Sequence, residues 1–309
     1  MENKYEFFVE HLRKELLDAT GYEEKQIYYK KKEDFPPTED DRLVLKCSEA
    51  NGKAEICALY IRELYLSYKK GRSMSEIVKA VMDRMQRISK AGILKKAGDI
   101  NDYGKIKGDL FIRLLNRELH KAELNDAIYR EMGDIAMVLY ICMGEADGCM
   151  TSMKVKKYML EEWGMDQNEI FDKALLNTYF FSPPRIYCWE KLVFNPSYSG
   201  DNFMNLVSDY SIRTDALGNC LSTTKRTNGA VAVFLPGVAG RIADLMNDDF
   251  YIVFTSIHEA MIHSVTSTDP ETLRQVLEET VYETTPPEDF LTFQIYQYDR
   301  DTGEFCLAG

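Results

Sequence analysis

The chain has 309 residues, is 45% hydrophobic and 28% charged, and carries a formal net charge of −12. That length buries one large core or two smaller ones, and the composition excludes a disordered or collagen-like chain. No run of about 18 apolar residues occurs, which argues against a membrane-spanning helix, and the polar start Met1-Glu2-Asn3-Lys4 lacks the apolar core of a secretory leader.

In chain order, Tyr5, Phe8, Val9, Leu12 and Leu16 follow the i, i+3, i+4 stripe of an amphipathic helix, with Gly21 as its stop. Three strand-like runs come next, at 26–29, 43–45 and 55–60. Pro36-Pro37 and the hairpin pair Asn51-Gly52 separate them. Helical spacing returns at 61–70 and ends at Gly71. Ser73 or Ser75 then caps a helix carrying Ile77, Val81, Met85 and Ile88. The spacing predicts a further helix over 103–119. Residues 134–143 form a short continuous apolar run, the pattern of a buried strand, with 149–153 as its hairpin partner after Gly148. Helices at 155–163 and 167–179 follow. Residues 182–217, broken by Pro183-Pro184 and Asn195-Pro196, read as a linker or irregular excursion.

Beyond it, 220–224 and 230–235 are strands across Asn228-Gly229, and Pro236-Gly237 opens a helix to Asn247. Strands at 250–256 and 259–265 precede a helix that starts at Asp269-Pro270 and runs to Tyr282. A hairpin of 293–298 and 304–307 closes the chain around Asp301-Thr302-Gly303. Hairpins mixed with helices give an α+β class. The expected domains are a helix-rich N-terminal one with short antiparallel strands (1–181), the excursion (182–217), and an acidic C-terminal one of helices and antiparallel sheet (218–309). A single intimately packed domain is the other organisation this pattern allows.

The charge is uneven. From Arg241 onward there are fourteen Asp and Glu against three Arg and no Lys, so nearly the whole excess lies in the last part of the chain. Such a field opposes direct contact with nucleic-acid phosphates and favours a basic protein partner, or simply keeps the surface solvated. Lys30-Lys31-Lys32 and the lysines of 154–157 are small basic clusters diluted by acidic neighbours. The seven cysteines form no Cys-x-x-Cys pair and read as free thiols in a reducing cytoplasm.

Four motifs tempt and fail. His258-Glu259-Ala260-Met261-Ile262-His263 is one residue too long for the zinc protease signature, which needs two histidines at i and i+4 on one helical face. On a strand its odd spacing sends the rings to opposite faces. Asp301-Thr302-Gly303 matches the aspartic protease triplet by letter, but its polar flanks suit a hairpin turn better than a buried carboxylate pair. Ser256 and His258 share a strand face at about 7 Å between Cα atoms, long for a nucleophile–base hydrogen bond. Gly237-Val238-Ala239-Gly240 opens a helix without the Lys-Ser/Thr of a phosphate loop. No cofactor or metal is expected.

Asn228-Gly229-Ala230, the strand Asp249-Phe250-Tyr251-Ile252, and Ser256-Ile257-His258-Glu259 resemble a bacterial family, a domain of unknown function, found in anaerobic Gram-positive bacteria and in some of their mobile elements. Tyr298-Asp299-Arg300-Asp301-Thr302-Gly303-Glu304 is similar to its closing hairpin. Weaker likeness extends upstream through Tyr68-Lys69-Lys70-Gly71-Arg72-Ser73 and 134–140. The chain departs from that pattern at Val253-Phe254-Thr255, where relatives more often read Leu-Pro-Ser. The resemblance implies a bacterial, cytoplasmic protein and directs attention to 256–259, with no activity to transfer.

Two functional expectations follow. The first is a non-enzymatic interaction module presenting Asp248, Asp249, Glu278, Glu279, Glu283, Glu288 and Asp289 to a basic surface. One version regulates or inhibits a basic, nucleic-acid-handling partner in a bacterium or mobile element. The second is a hydrolase in which His258 acts as base, oriented by Glu259 or Asp249, with Ser256 or a water attacking. A strand turn in which His258 and Glu259 only bond the backbone is the structural alternative.

Overall fold

A computed structural model describes residues 2–31, 41–50, 53–90, 93–146, 149–195 and 197–308. Lys32, Pro36-Pro37, Asn51-Gly52, Gly148 and Pro196 lie outside them. The chain separates into two units, Met1–Gly98 with Gly144–Met150, and Asp99–Met143 with Thr151–Gly309.

In the first unit, helix α1 (Glu2–Thr20) buries Phe8, Val9, Leu12 and Leu16, the one apolar stripe its 3.6-residue period creates. Gly21, at φ +68°, supplies the left-handed residue that ends it. A single 3-10 turn (Glu24–Gln26) leads into β1 (Ile27–Lys30), which pairs antiparallel with β2 (Arg42–Ala50), and β2 with β3 (Lys53–Tyr60). Helices α2 (Ile61–Lys69), α3 (Met74–Lys90) and α4 (Ile93–Asp99) follow. Ser73, rather than Ser75, caps α3. The Glu76 amide donates to its hydroxyl at 3.3 Å, and the Glu76 carboxylate accepts from the Ser73 amide at 2.8 Å. Helices and sheet close on a core that includes Leu12, Leu16, Ile27, Leu45, Ile61 and Ile77.

In the second unit, α5 (Tyr103–Ile106) is one turn long, and the helix expected over 103–119 is replaced by strand β4 (Leu110–Asn116). Leu110, Phe111, Ile112 and Leu114 are all buried, on both faces of a sheet, which a helix's single stripe does not provide for. Helix α6 (Lys121–Leu124) and strand β5 (Tyr129–Met132) precede the long strand β6 (Ile135–Ala146), which belongs to this unit as far as Met143. β4 pairs with one edge of β6, from Leu110↔Ile141 to Asn116↔Ile135, while β5 and β7 (Cys149–Lys154) pair with the other. After α7 (Lys157–Trp163), helix α8 (Gln167–Phe181) starts at Asp166, whose carboxylate accepts the Asn168 and Glu169 amides at 2.8 and 3.2 Å. Thr178 fastens α8 to β4, its hydroxyl accepting the Ile112 amide at 3.0 Å.

Residues 182–217 hold more structure than their prolines suggest. They contain β8 (Pro184–Tyr187) and α9 (Trp189–Phe194), and β8 is an outer strand of the C-terminal sheet. Pro184 is the first residue of that outer strand, a position where a missing N–H is tolerated. β9 (Asn219–Thr223) pairs with it. The strand expected at 230–235 is a 3-10 helix instead (Gly229–Phe234), entered through Asn228 at φ +53°. Ala230, Val231, Ala232 and Val233 are buried on every side, so periodicity could not have separated the two.

Helix α10 (Val238–Met246), strands β10 (Phe250–Ser256) and β11 (Glu259–Ser264), helix α11 (Pro270–Thr284), and strands β12 (Ile295–Tyr298) and β13 (Phe305–Leu307) complete the chain. The sheet order is β13-β12-β10-β11-β9-β8, antiparallel throughout. The two sheets of this unit meet at Asp134, whose carboxylate accepts the Thr292 hydroxyl at 2.7 Å and the Tyr296 hydroxyl at 2.8 Å. Helices with separate antiparallel sheets make the fold α+β.

Candidate functional site

β10 and β11 pair from Phe250↔Ser264 to Ser256↔Glu259, with a register shift at Thr255 that bulges the strand before its turn. Ile257 and His258 form the turn, and the Ser256 hydroxyl accepts the His258 amide at 3.0 Å. Three neighbouring segments hold it. The Ile257 amide donates to the Asp289 carbonyl at 2.9 Å, and the Ala230 amide donates to the Ile257 carbonyl at 3.2 Å. The Ser222 hydroxyl donates to the His258 carbonyl at 2.7 Å. Gly229 allows this close approach: a Cβ there would lie 2.1 Å from the Ser222 hydroxyl and 2.6 Å from the His258 carbonyl.

The His258 ring is gripped from both ends. Its Nδ1 accepts the Asn228 amide at 2.9 Å, which places the proton of the neutral ring on Nε2. Nε2 faces the Asp289 carboxylate at 3.3 Å, with the two side chains 34% and 25% exposed. This histidine–carboxylate pair joins the 256–259 turn to the short 3-10 turn Pro287–Asp289. Both ring nitrogens therefore face groups of the fold, Nδ1 the Asn228 amide and Nε2 the Asp289 carboxylate.

The other candidates are placed as follows. The hydrogen bond found for the Ser256 hydroxyl is to the His258 amide and not to its ring. Glu259 accepts the Thr255 hydroxyl at 3.3 Å and the Cys220 thiol at 3.5 Å. Burial pushes that thiol's pKa up, and the Glu259 charge adds to the effect, so Cys220 stays protonated. Asp249 sits at the opposite end of β10, accepting the Arg300 amide at 2.9 Å and the Gln297 side chain at 3.2 Å. Asp248 accepts the Ser264 and Thr266 hydroxyls. Burial raises its pKa, but these bonds and the Asp249 amide outweigh that and leave it below the usual carboxylate range. The carboxylate beside His258 is thus Asp289, grouped from sequence with the partner-binding residues, and not Glu259 or Asp249. Only the tertiary fold brings 258 and 289 together.

Asp248, Asp249 and Asp289 are accordingly tied into the fold, while Glu278, Glu279, Glu283 and Glu288 are exposed. α11 explains three of these. Asp269 caps it, accepting the Thr272 amide at 2.9 Å, and Leu273, Leu277 and Val281 bury against Val253 and Ile295. The opposite side presents Glu278, Glu279 and Glu283 around Tyr282, 79% exposed, and Val276, 54% exposed. Tyr282 is braced from below by Phe293, at 5.8 Å between ring centres. Among the described residues, none of the four glutamates forms an ion pair; the helix's own Arg274 is taken by Glu271 at 2.9 Å.

Among the described residues, no group of three His, Cys, Asp or Glu side chains has the arrangement of a metal site. His258 lies in the turn, while His263 is buried within β11 opposite Tyr251. No described helix is long and apolar enough to cross a membrane. No curated protein and no solved structure matches the chain. A family profile does match, over residues 5–300, and by that near-complete coverage the chain belongs to a family of unknown function, DUF5688.

Proposed function

We propose that the chain is a non-enzymatic interaction module whose acidic α11 surface docks on a basic protein partner. The observation that carries this is a cost the fold accepts. Glu283 lies in the last turn of α11, where the helix dipole disfavours negative charge, no basic residue occupies that turn, and Glu279 repels Glu283 at i, i+4. Nothing within the described residues neutralises them, and an exposed tyrosine sits among them. Carboxylates around a rigid aromatic anchor suit electrostatic steering onto a cationic surface, with the ring supplying contact area. A nucleic-acid-handling protein has such a surface, and masking it would regulate or inhibit that protein.

The test is a native-lysate pull-down with the full chain beside a variant carrying Gln at 278, 279, 283 and 288. Asp289 is left intact because it braces His258. A basic partner captured in stoichiometric amount by the wild type only, and released by raised salt, is the expected result. Equal capture by both proteins removes the reading. The His258–Asp289 pair is the one feature that favours the alternative, a hydrolase. On that view, His258→Ala abolishes a turnover that an Asp289→Asn protein retains in part.

A further inference from the structure

Arg113, on β4, stands apart from the other half-buried arginines. Among the described residues each of the others has an acceptor: Arg13 the Ile27 carbonyl, Arg42 the Tyr60 hydroxyl, Arg117 the Gly133 carbonyl, Arg130 Asp172, Arg185 the Pro184 carbonyl, Arg241 the Phe203 carbonyl and Arg274 Glu271. Arg113 has none, and its Nε is shut off from solvent without a hydrogen-bond partner. Its guanidinium lies 5.2 Å from the Phe111 ring centre and 5.1 Å from that of Tyr140.

The strand register causes this. Phe111 pairs with Tyr140 and Arg113 with Val138, so the three side chains rise from one face of the β4–β6 pair. Two rings against a guanidinium fix its plane by cation–π attraction. The titratable groups acting on it are Tyr140 and Cys142, and no carboxylate is among them. A second cation is close: the Lys154 ammonium stands 5.9 Å from the Tyr140 ring centre, in contact with Glu123. Drawing a guanidinium partly out of water without a counter-ion costs free energy, and its remaining donors are a fork shaped for two oxygens.

We propose that Arg113 anchors an oxyanion-binding site on this sheet face, taking the phosphate or carboxylate group of a small molecule. Phe111 and Tyr140 hold the guanidinium in place, while the nearby Lys154 is already paired with Glu123. The site is independent of the α11 surface.

The experiment is a titration of the 15N-labelled full chain with inorganic phosphate and, separately, with acetate, following the Arg113 Nε–H resonance. A saturable shift with at least one anion is expected. Arg113→Lys, which keeps the charge and loses the fork, weakens binding by roughly tenfold or more, and Arg117→Lys leaves it unchanged. Preference for phosphate assigns a phosphorylated ligand, and preference for acetate a carboxylate. No saturable shift with either anion overturns the proposal, as does unchanged affinity in Arg113→Lys. The wild-type titration decides even if a variant fails to fold.

Discussion

Substituting alanine for Gly229 and for Gly240 separates the role of close approach from that of backbone freedom. At Gly229 the new Cβ falls 2.1 Å from the Ser222 hydroxyl, 2.6 Å from the His258 carbonyl and 2.9 Å from the Thr223 amide. Two of those atoms are backbone and cannot swing away. Overpacking of this kind costs about 1–3 kcal/mol. Driving Ser222 off the His258 carbonyl leaves a buried hydroxyl unpaired, at about 1–3 kcal/mol. The sum is about 2–4 kcal/mol, because some of the strain is relieved by the bond that breaks. Gly240 lies inside α10 with only the Tyr298 hydroxyl near its Cβ position, at 3.8 Å, an ordinary contact. There alanine removes a helix penalty and adds up to about 1 kcal/mol of stability. Urea denaturation reads both, and for an m value of about 2–3 kcal/mol/M the Gly229 loss is a fall in midpoint of about 1 M. With two units in one chain a single transition is not assured, so amide exchange at Ala230 and Ile257 gives the local reading. Both amides should exchange faster in Gly229→Ala and not in Gly240→Ala. Midpoints that shift in the same direction refute the argument.

Three further predictions follow from the same structure. Glu279→Gln with Glu283→Gln raises stability by about half a kcal/mol, since repulsion at i, i+4 and dipole conflict are both removed; a lower melting temperature would show that these carboxylates support the fold. Burial holds the His263 pKa below its ordinary 6.5, against a hydrogen bond that the ring donates to the Ala216 backbone and the charge of Asp215, so its contribution is fully present above about pH 6.5 and is lost as pH falls through the lowered folded value. Denaturation between about pH 5 and pH 8 should show that slope, and His263→Phe should flatten it. Tyr296→Phe removes the hydroxyl that donates to Asp134 at 2.8 Å, also lies 3.0 Å from the Met132 carbonyl, and joins two sheets of the second unit, at a cost of about 1–3 kcal/mol by thermal melt.

The helices at 5–16 and 270–282 were readable because their signals are local: one apolar stripe, and an Asp-Pro start. The β10–β11 hairpin was readable from its β-branched run. Strand β4 was not, because Gly108-Asp109 is a weak break and Leu110-Phe111-Ile112 satisfies either period. The environment of Arg113 has no local sequence signal either, because it exists only when β4 pairs with β6. Ser256 and His258, expected on one strand face, do not share one: β10 ends at Ser256 and His258 lies in the turn before Glu259 opens β11. The partners of this turn were not readable, since the Asn228 amide, the Ser222 hydroxyl and Asp289 arrive from three other segments and leave no trace in local spacing.

Where this chain acts is better judged from what its polar groups leave open than from which residue types they are. A turn containing serine, histidine and glutamate has the vocabulary of catalysis, yet each group in it already has a partner: Nδ1 the Asn228 amide, Nε2 the Asp289 carboxylate, the Ser256 hydroxyl the His258 amide, and Glu259 the Thr255 hydroxyl. Such saturation is how a fold makes a tight turn rigid. The α11 glutamates and Arg113 are the reverse case. One group is negative, exposed and set against its own helix dipole; the other is positive, half-buried and without a counter-ion. Neither arrangement lowers the free energy of the isolated chain, so each gains only when something of opposite charge arrives. That asymmetry is the support for the two proposed binding surfaces over the proposed hydrolase alternative.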